Sequence, residues 1–195
     1  TTRRVATPEG IELTLPLEGW QERLLKPEFA RYLRSKRKRL AAKGPITLEA
    51  ASSPAQIRTA FQCMRDFRRH RWADDILADQ NHFEFYLDVA VAGHDSGFAR
   101  TYVLSVGGKA AALLFGVCHK GRFCFLLLGF DNRNFRNHST GLLGLESAIE
   151  DSIRRGDAVF DLTIGDEAYK QDFATRSVPM SVVWFGGKPL TALAP

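Results

Sequence analysis

The chain offers little from which a metal centre, a disulfide scaffold or a membrane anchor could be built. Its 195 residues include only three cysteines, Cys63, Cys118 and Cys124, with no CxxC pair, and five scattered histidines. That pattern excludes recognisable zinc spacings and reads as reduced thiols packed like small apolar side chains. No apolar run approaches the roughly 20 residues that a membrane helix needs. The opening residues also lack the charged, apolar, small-residue order of a secretory signal, so the cytoplasm is the expected compartment. No internal repeat or low-complexity tract interrupts the sequence. What remains is 45% hydrophobic and 25% charged, enough to bury the core of one globular domain.

Acid is also missing locally. From Arg31 to Lys43 there are seven basic residues and no Asp or Glu, in a chain whose formal net charge is +5. Phe29, Tyr32, Leu33 and Leu40 fall on one helical face of the stretch from Pro27 to Ala42, and the basic residues load the others. Gly44-Pro45 closes that helix. Residues 1–27 are rich in Pro, Gly and isolated apolar positions, and only IELTLPL alternates well enough for a short strand. We read 1–19 as a lead-in and 20–195 as a single domain. The chain begins at Thr1 without a methionine, which fits a processed form or the C-terminal half of a longer two-domain protein.

Further along, Ile46 to Glu49 is a short strand, and Ser53-Pro54 supplies an N-cap and a first-turn proline. Ile57, Ala60, Phe61, Met64 and Phe67 then run toward Trp72 as a helical stripe. Arg65, Arg68 and Arg69 fall off that stripe and are expected to face solvent. Another helix spans about Asn81 to Ala92. Arg100 to Val106, Lys109 to His119 and Phe123 to Phe130 form a meander joined at Gly107-Gly108 and Lys120-Gly121-Arg122. The continuous apolar runs AAALLFGVC and FCFLLLGF imply strands covered on both faces, so helices must flank the sheet. Ser139 to Arg155 is an amphipathic helix stopped by Gly156, and Ala158 to Ile164 is a strand. Strand, helix and strand make a βαβ unit, whose crossover joins parallel strands. Gly165 to Ala174 reads as a short helix and Met180 to Phe185 as a closing strand.

This order predicts an α/β fold with a mixed, twisted sheet: an antiparallel meander followed by a parallel βαβ unit, with helices on both faces. Such a sheet can splay where the sense of its hydrogen bonding changes, leaving a slot for an extended ligand. The loop from Asp131 to Ser139 lies at the mouth of that slot. Its backbone N–H groups and the start of the following helix suit an anion.

The chain resembles the GNAT superfamily of CoA-dependent acyltransferases, and within it the CelD-like subgroup of cellulose biosynthesis, related to Fem-type peptidyl transferases. The likeness is carried by YLRSKRKRLAAKG at 32–44, FRRHRW at 67–72, the strands of 100–130, and STGLLGLESAIEDSIRRGDAVFDLTIGDEAYKQDFA at 139–174. It implies that acetyl-CoA or another acyl-CoA is co-substrate, with its pyrophosphate held by Asn137, His138, Ser139, Thr140, Gly141 and Leu142. Arg133 and Arg136 could steer phosphates or be merely solvated. The usual superfamily loop, Gln or Arg, two residues, Gly, one residue, Gly or Ala, is absent, and one glycine and a plausible N-cap, Ser139, stand in its place. Tyr169 and Lys170 are the candidate catalytic pair, with the tyrosine placed to protonate a leaving thiolate. The plain alternative packs Tyr169 and pairs Lys170 with Asp161 or Glu167. Asp161, isolated among apolar strand residues, needs a partner, for which Lys170 or Arg176 is expected. Of His70, His119 and His138, only His138 falls at the site.

The implied function is a CoA-dependent N-acyltransferase whose acceptor is a small-molecule or saccharide amine, linked to polysaccharide or envelope biosynthesis. Two alternatives stand beside it: a non-catalytic GNAT-like half that holds a partner, and a Fem-type transferase using aminoacyl-tRNA. The basic 31–43 face would attract an anionic partner, or is a solvated helix face. Nucleic acid other than tRNA is disfavoured because the aromatics occupy core phases and are not interleaved with the basic residues.

Overall fold

The computed structural model describes residues 2–6, 9–12, 18–69, 75–163, 167–177 and 180–183. His70, Trp72, Gly165, Asp166 and Phe185 lie outside them. In chain order the elements are β1 (Thr2–Ala6), β2 (Glu9–Glu12), α1 (Trp20–Leu24), α2 (Pro27–Ala41), β3 (Ile46–Ala50), α3 (Pro54–Arg68), α4 (Gln80–Gly93), β4 (Ala99–Val106), β5 (Lys109–His119) and β6 (Arg122–Phe130). They continue with α5 (Thr140–Arg155), β7 (Val159–Thr163), α6 (Ala168–Phe173), β8 (Arg176–Ser177) and β9 (Met180–Val183).

Local chemistry explains several of these boundaries. Pro27 and Pro54 stand in the first turns of α2 and α3, where a missing N–H costs nothing. Ser53 accepts the backbone N–H of Gln56, and Asp79 that of His82, so α3 and α4 begin on side-chain caps. The meander turns at Gly107-Gly108, with φ of 56° and 78°, and at Lys120-Gly121, with φ of 49° and 71°. Positive φ at both central residues gives the mirror-image turn whose twist matches that of the strands it joins.

The main sheet has the order β3-β4-β5-β6-β7-β2-β8, and β1 pairs separately with β9. β3 to β6 are antiparallel to their neighbours, and β6 with β7 is parallel, as the βαβ reading requires. The N-terminal strand is displaced from the expected IELTLPL: β2 spans Glu9–Glu12 and lies antiparallel to β7, and residues 13–17 lie outside the described set. Helices cover both faces. Leu33 and Leu40 of α2 and Leu145 and Ile149 of α5 share one core with Leu114, Phe123 and Phe160. Ile57, Phe61 and Met64 of α3 and Phe83 and Leu87 of α4 form the other with Phe115 and Leu127.

Two glycines let helices close on β6 from opposite sides. A Cβ at Gly129 would lie 2.9 Å from the Met64 side chain and backbone of α3, and one at Gly141 would lie 2.9 Å from the Phe130 ring. The start of α5 is thereby held against the far end of β6.

Candidate functional site

β6 and β7 pair for only three positions, Arg122↔Val159, Phe123↔Phe160 and Cys124↔Asp161. From Phe125 to Phe130, β6 runs on without β7. It also carries a bulge there: Phe115 stands opposite Leu127 and Gly116 opposite Phe125, so Leu126 is the extra residue. The result is an open slot of about 830 Å³. Phe125, Leu126, Leu128 and Phe130 form one wall, the 132–142 loop and helix start another, and Thr163, Glu167, Tyr169 and Lys170 a third.

Asn137, Ser139, Thr140, Gly141 and Leu142 all line the slot. His138, Arg133 and Arg136 do not. Ser139 is not the side-chain cap expected of it. Its φ of 53° is left-handed, its hydroxyl caps nothing, and its Oγ shares a 2.7 Å hydrogen bond with the Tyr32 hydroxyl. The Ser139 carbonyl takes the Leu143 N–H, which leaves the amides of Thr140, Gly141 and Leu142 without acceptors among the described residues. Three free amides at the positive end of a sixteen-residue helix face the slot. Asn137 is also left-handed, at φ 69°.

Tyr169 stands half-buried on the slot wall. Burial pushes its phenol well above the usual range, and the Glu167 carboxylate adds to the rise. Lys170 is 3% exposed, with its ammonium 2.9 Å from Glu167. Asp161 pairs with Arg122, a partner not foreseen from the sequence, at 2.9 Å and accepts the Thr163 N–H at 2.8 Å. The physical reason is register, because parallel pairing carries Asp161 to Cys124, beside Arg122 on the same strand. Thr163 then bends out of the strand at φ 59° and donates its hydroxyl to the Phe125 carbonyl at 3.0 Å. It sits where the two strands part.

Arg68 was expected in solvent and is instead in the slot lining. Its Nε reaches both oxygens of Asp75, at 2.9 and 3.0 Å, and Nη1 donates to the Leu128 carbonyl at 2.7 Å. Asp75 is buried and also accepts the Leu77 N–H. An arginine at the end of an apolar helical stripe carries no signal by phase alone. The usable clue was the acid pair Asp74-Asp75 in WADDIL, since an acid buried as Asp75 is needs a cation. The three thiols show no activation: burial raises each of them first, with nearby Asp carboxylates adding to the rise.

The basic α2 packs beside α5 through a buried pair. Glu146 is 0% exposed and bonds to Arg37 Nη2 at 2.6 Å and Nε at 3.2 Å, and to Gln21 of α1. Burial raises the Glu146 carboxyl, and Arg37 only partly offsets that. Lys36 Nζ donates to the Asn137 carbonyl at 2.7 Å, so α2 touches the loop directly.

Residues 27–171 match the family model described as the acetyltransferase (GNAT) domain, and the chain belongs to that family. No curated protein matches it in sequence. Among solved structures it is similar to the C-terminal domain of a putative lysylphosphatidylglycerol synthetase from Agrobacterium fabrum, with TM-score 0.63, 16% identity, and coverage of 93% of this chain and 60% of that one. It is similar to FemX, with TM-score 0.65, 12% identity, and coverage of 90% and 60%. A GCN5-related N-acetyltransferase from Kribbella flavida gives TM-score 0.51, 15% identity, and coverage of 92% and 58%. The chain thus spans about 60% of the length of these structures. The shared architecture is the GNAT fold.

Proposed function

We propose that the protein transfers an acyl group from a CoA thioester to an amine, with the donor lying in the slot between β6 and β7. The observation that carries this reading is convergence. Free helix amides, an apolar strand edge released from its neighbour, and a protonated phenol all line one open slot.

The residues fit such a donor without further assumption. Thr140, Gly141 and Leu142 would hold a diphosphate by their backbone N–H groups, which needs no second glycine because the helix start already points inward. The free edge of β6 would align the acyl arm, and its bulge at Leu126 breaks the regular ladder where the strands part. Backbone N–H groups on that edge would stabilise charge on the carbonyl oxygen as the amine attacks. In that step the C–N bond forms, the C–S bond breaks, the amine loses a proton to water, and the sulfur leaves as thiolate.

Tyr169 stabilises that thiolate in a particular way. A free thiol ionises near pH 8.5, so a phenol raised by burial is the weaker acid of the two. It therefore donates a hydrogen bond to the departing sulfur and keeps its proton. Lys170, tied to Glu167 in the same turn, orients that wall. By resemblance to CelD-like proteins, the acceptor is an amino sugar or another amine of envelope polysaccharide synthesis, and the setting is cytoplasmic.

Calorimetric titration with acetyl-CoA and longer acyl-CoAs tests the donor, and thiol release on adding candidate amines tests the reaction. Micromolar binding is expected. No binding of any acyl-CoA at millimolar concentration would sink the reading.

A further inference from the structure

Tyr32, Lys36 and Arg39 are spaced by four and three residues and follow one face of α2, and Lys43 comes next in the turn just past the end of the helix. The first two are anchored to the loop ahead of α5, Tyr32 through Ser139 and Lys36 through the Asn137 carbonyl. Arg39 and Lys43 continue the same line, both exposed, and make no ion pair or side-chain hydrogen bond among the described residues. The placement is fixed, because the Arg37–Glu146 pair locks the neighbouring face of α2 onto α5.

Like charges three and four apart on a helix repel, and this stretch carries no acid to offset them. All three cations also act on His138. After burial of the ring, the charges of Lys43, Lys36 and Arg39 hold its imidazole below the usual range, and its Nδ1 is buried without a partner among the described residues. Uncompensated positive charge is thus gathered beside the mouth of the slot, on an element distinct from the α5 amides.

We propose that Lys36, Arg39 and Lys43 form a second phosphate subsite, which takes the ribose 3′-phosphate of the CoA donor while the α5 amides take its diphosphate. This rests on the reading of the slot as a CoA site. Lysine and arginine bind such a dianion through charge-assisted hydrogen bonds, and a compact cluster of cations favours a phosphomonoester over a single-charged group.

The experiment titrates CoA, 3′-dephospho-CoA and adenosine 3′,5′-bisphosphate into the full chain and into an Arg39→Gln/Lys43→Gln variant. Neither replaced side chain holds a partner among the described residues, and thermal melting confirms that the variant folds. The wild-type chain is expected to bind CoA about tenfold more tightly than 3′-dephospho-CoA, the scale of one charge-assisted contact. The variant is expected to bind the two alike, at the weaker level.

Equal binding of the two by the wild-type chain overturns the subsite, as does a variant that weakens both by the same factor. If CoA does not bind at all, the donor reading falls, and the bisphosphate decides the subsite separately. Bisphosphate binding lost in the variant upholds the phosphate cluster, and no bisphosphate binding removes it. A CCA-ended RNA hairpin that binds tightly through Arg39 and Lys43, while CoA and 3′-dephospho-CoA bind alike, overturns the assignment to CoA.

Discussion

The two ends of β6 are built from the same strand and do opposite things. At the Arg122–Cys124 end the strand is zipped to β7 and flanked by two ion pairs. Arg122 meets Asp161, and Arg100 meets Asp157 while lying over the Phe123 ring at 5.4 Å. At the Phe125–Phe130 end the partner strand has gone, a bulge interrupts the ladder, and free amides of α5 look across the gap. The difference teaches that the closed end joins its charges in pairs, with Arg100 Nε left over, whereas the open end turns a row of free helix amides toward a single gap, where a ligand could meet them.

The comparison breaks most severely at the closed end. Arg100→Ala strands the buried Asp157 carboxylate, which is 5% exposed, and should cost about 3–5 kcal/mol in denaturant unfolding with no change in acyl-CoA affinity per folded molecule. A loss of affinity without loss of stability would reverse the assignment of the two ends. Next comes the open end: Gly141→Val places a branched side chain against Phe130 and should cost about 1–3 kcal/mol, with acyl-CoA affinity falling at least tenfold in calorimetry. Unchanged affinity would show that the start of α5 is not part of the donor site.

Tyr169→Phe sharpens the contrast chemically. It should lower kcat roughly tenfold to a hundredfold with KM little changed if the phenol acts on the departing sulfur as proposed. A change confined to KM would make Tyr169 a packing residue.

The smallest effect distinguishes two buried carboxylates by the sign of their pH dependence. For Asp157, burial works upward but the Arg100 hydrogen bonds and charge hold it low, so its stabilisation is present above about pH 3.8, the unperturbed value, and is lost on acidification. Glu146 is raised in the folded state, so its contribution is greatest below about pH 4.5 and declines as pH rises through the folded value. Glu146→Gln should flatten the decline in unfolding free energy above pH 4.5, and Asp157→Asn the loss below pH 4. The same slope in wild type and both variants would refute this.

Local patterns made much of the fold legible. The α5 stripe and its Gly156 stop, the paired turn residues at Gly107-Gly108 and Lys120-Gly121, and the apolar strands between them all report on neighbours within a few residues. The βαβ inference needed only those elements and the handedness of crossovers. What stayed hidden depended on distant register. Asp161 could not be matched to Arg122 without knowing that β6 and β7 align at Cys124. β2 enters between β7 and β8 from far along the chain. Arg68 lost its expected exposure because Asp75 stands against it. At the site, the loop's position was readable from its place in the order of elements, but not the left-handed turn at Ser139, which follows from the bond to Tyr32 more than a hundred residues away.

Thr163 carries one last consequence. A β-branched residue at φ 59° holds a conformation that costs of order 1–3 kcal/mol, and it is kept there by its bonds to Asp161 and the Phe125 carbonyl. It behaves as the stop of a zipper slider: β7 can neither close further along β6 nor peel back. With the α5 amides fixed at the other end, the slot becomes a ruler. For a donor held as proposed, it would set how far from the phosphates the reactive carbon must lie, so an arm of the wrong length would be rejected before any chemistry began.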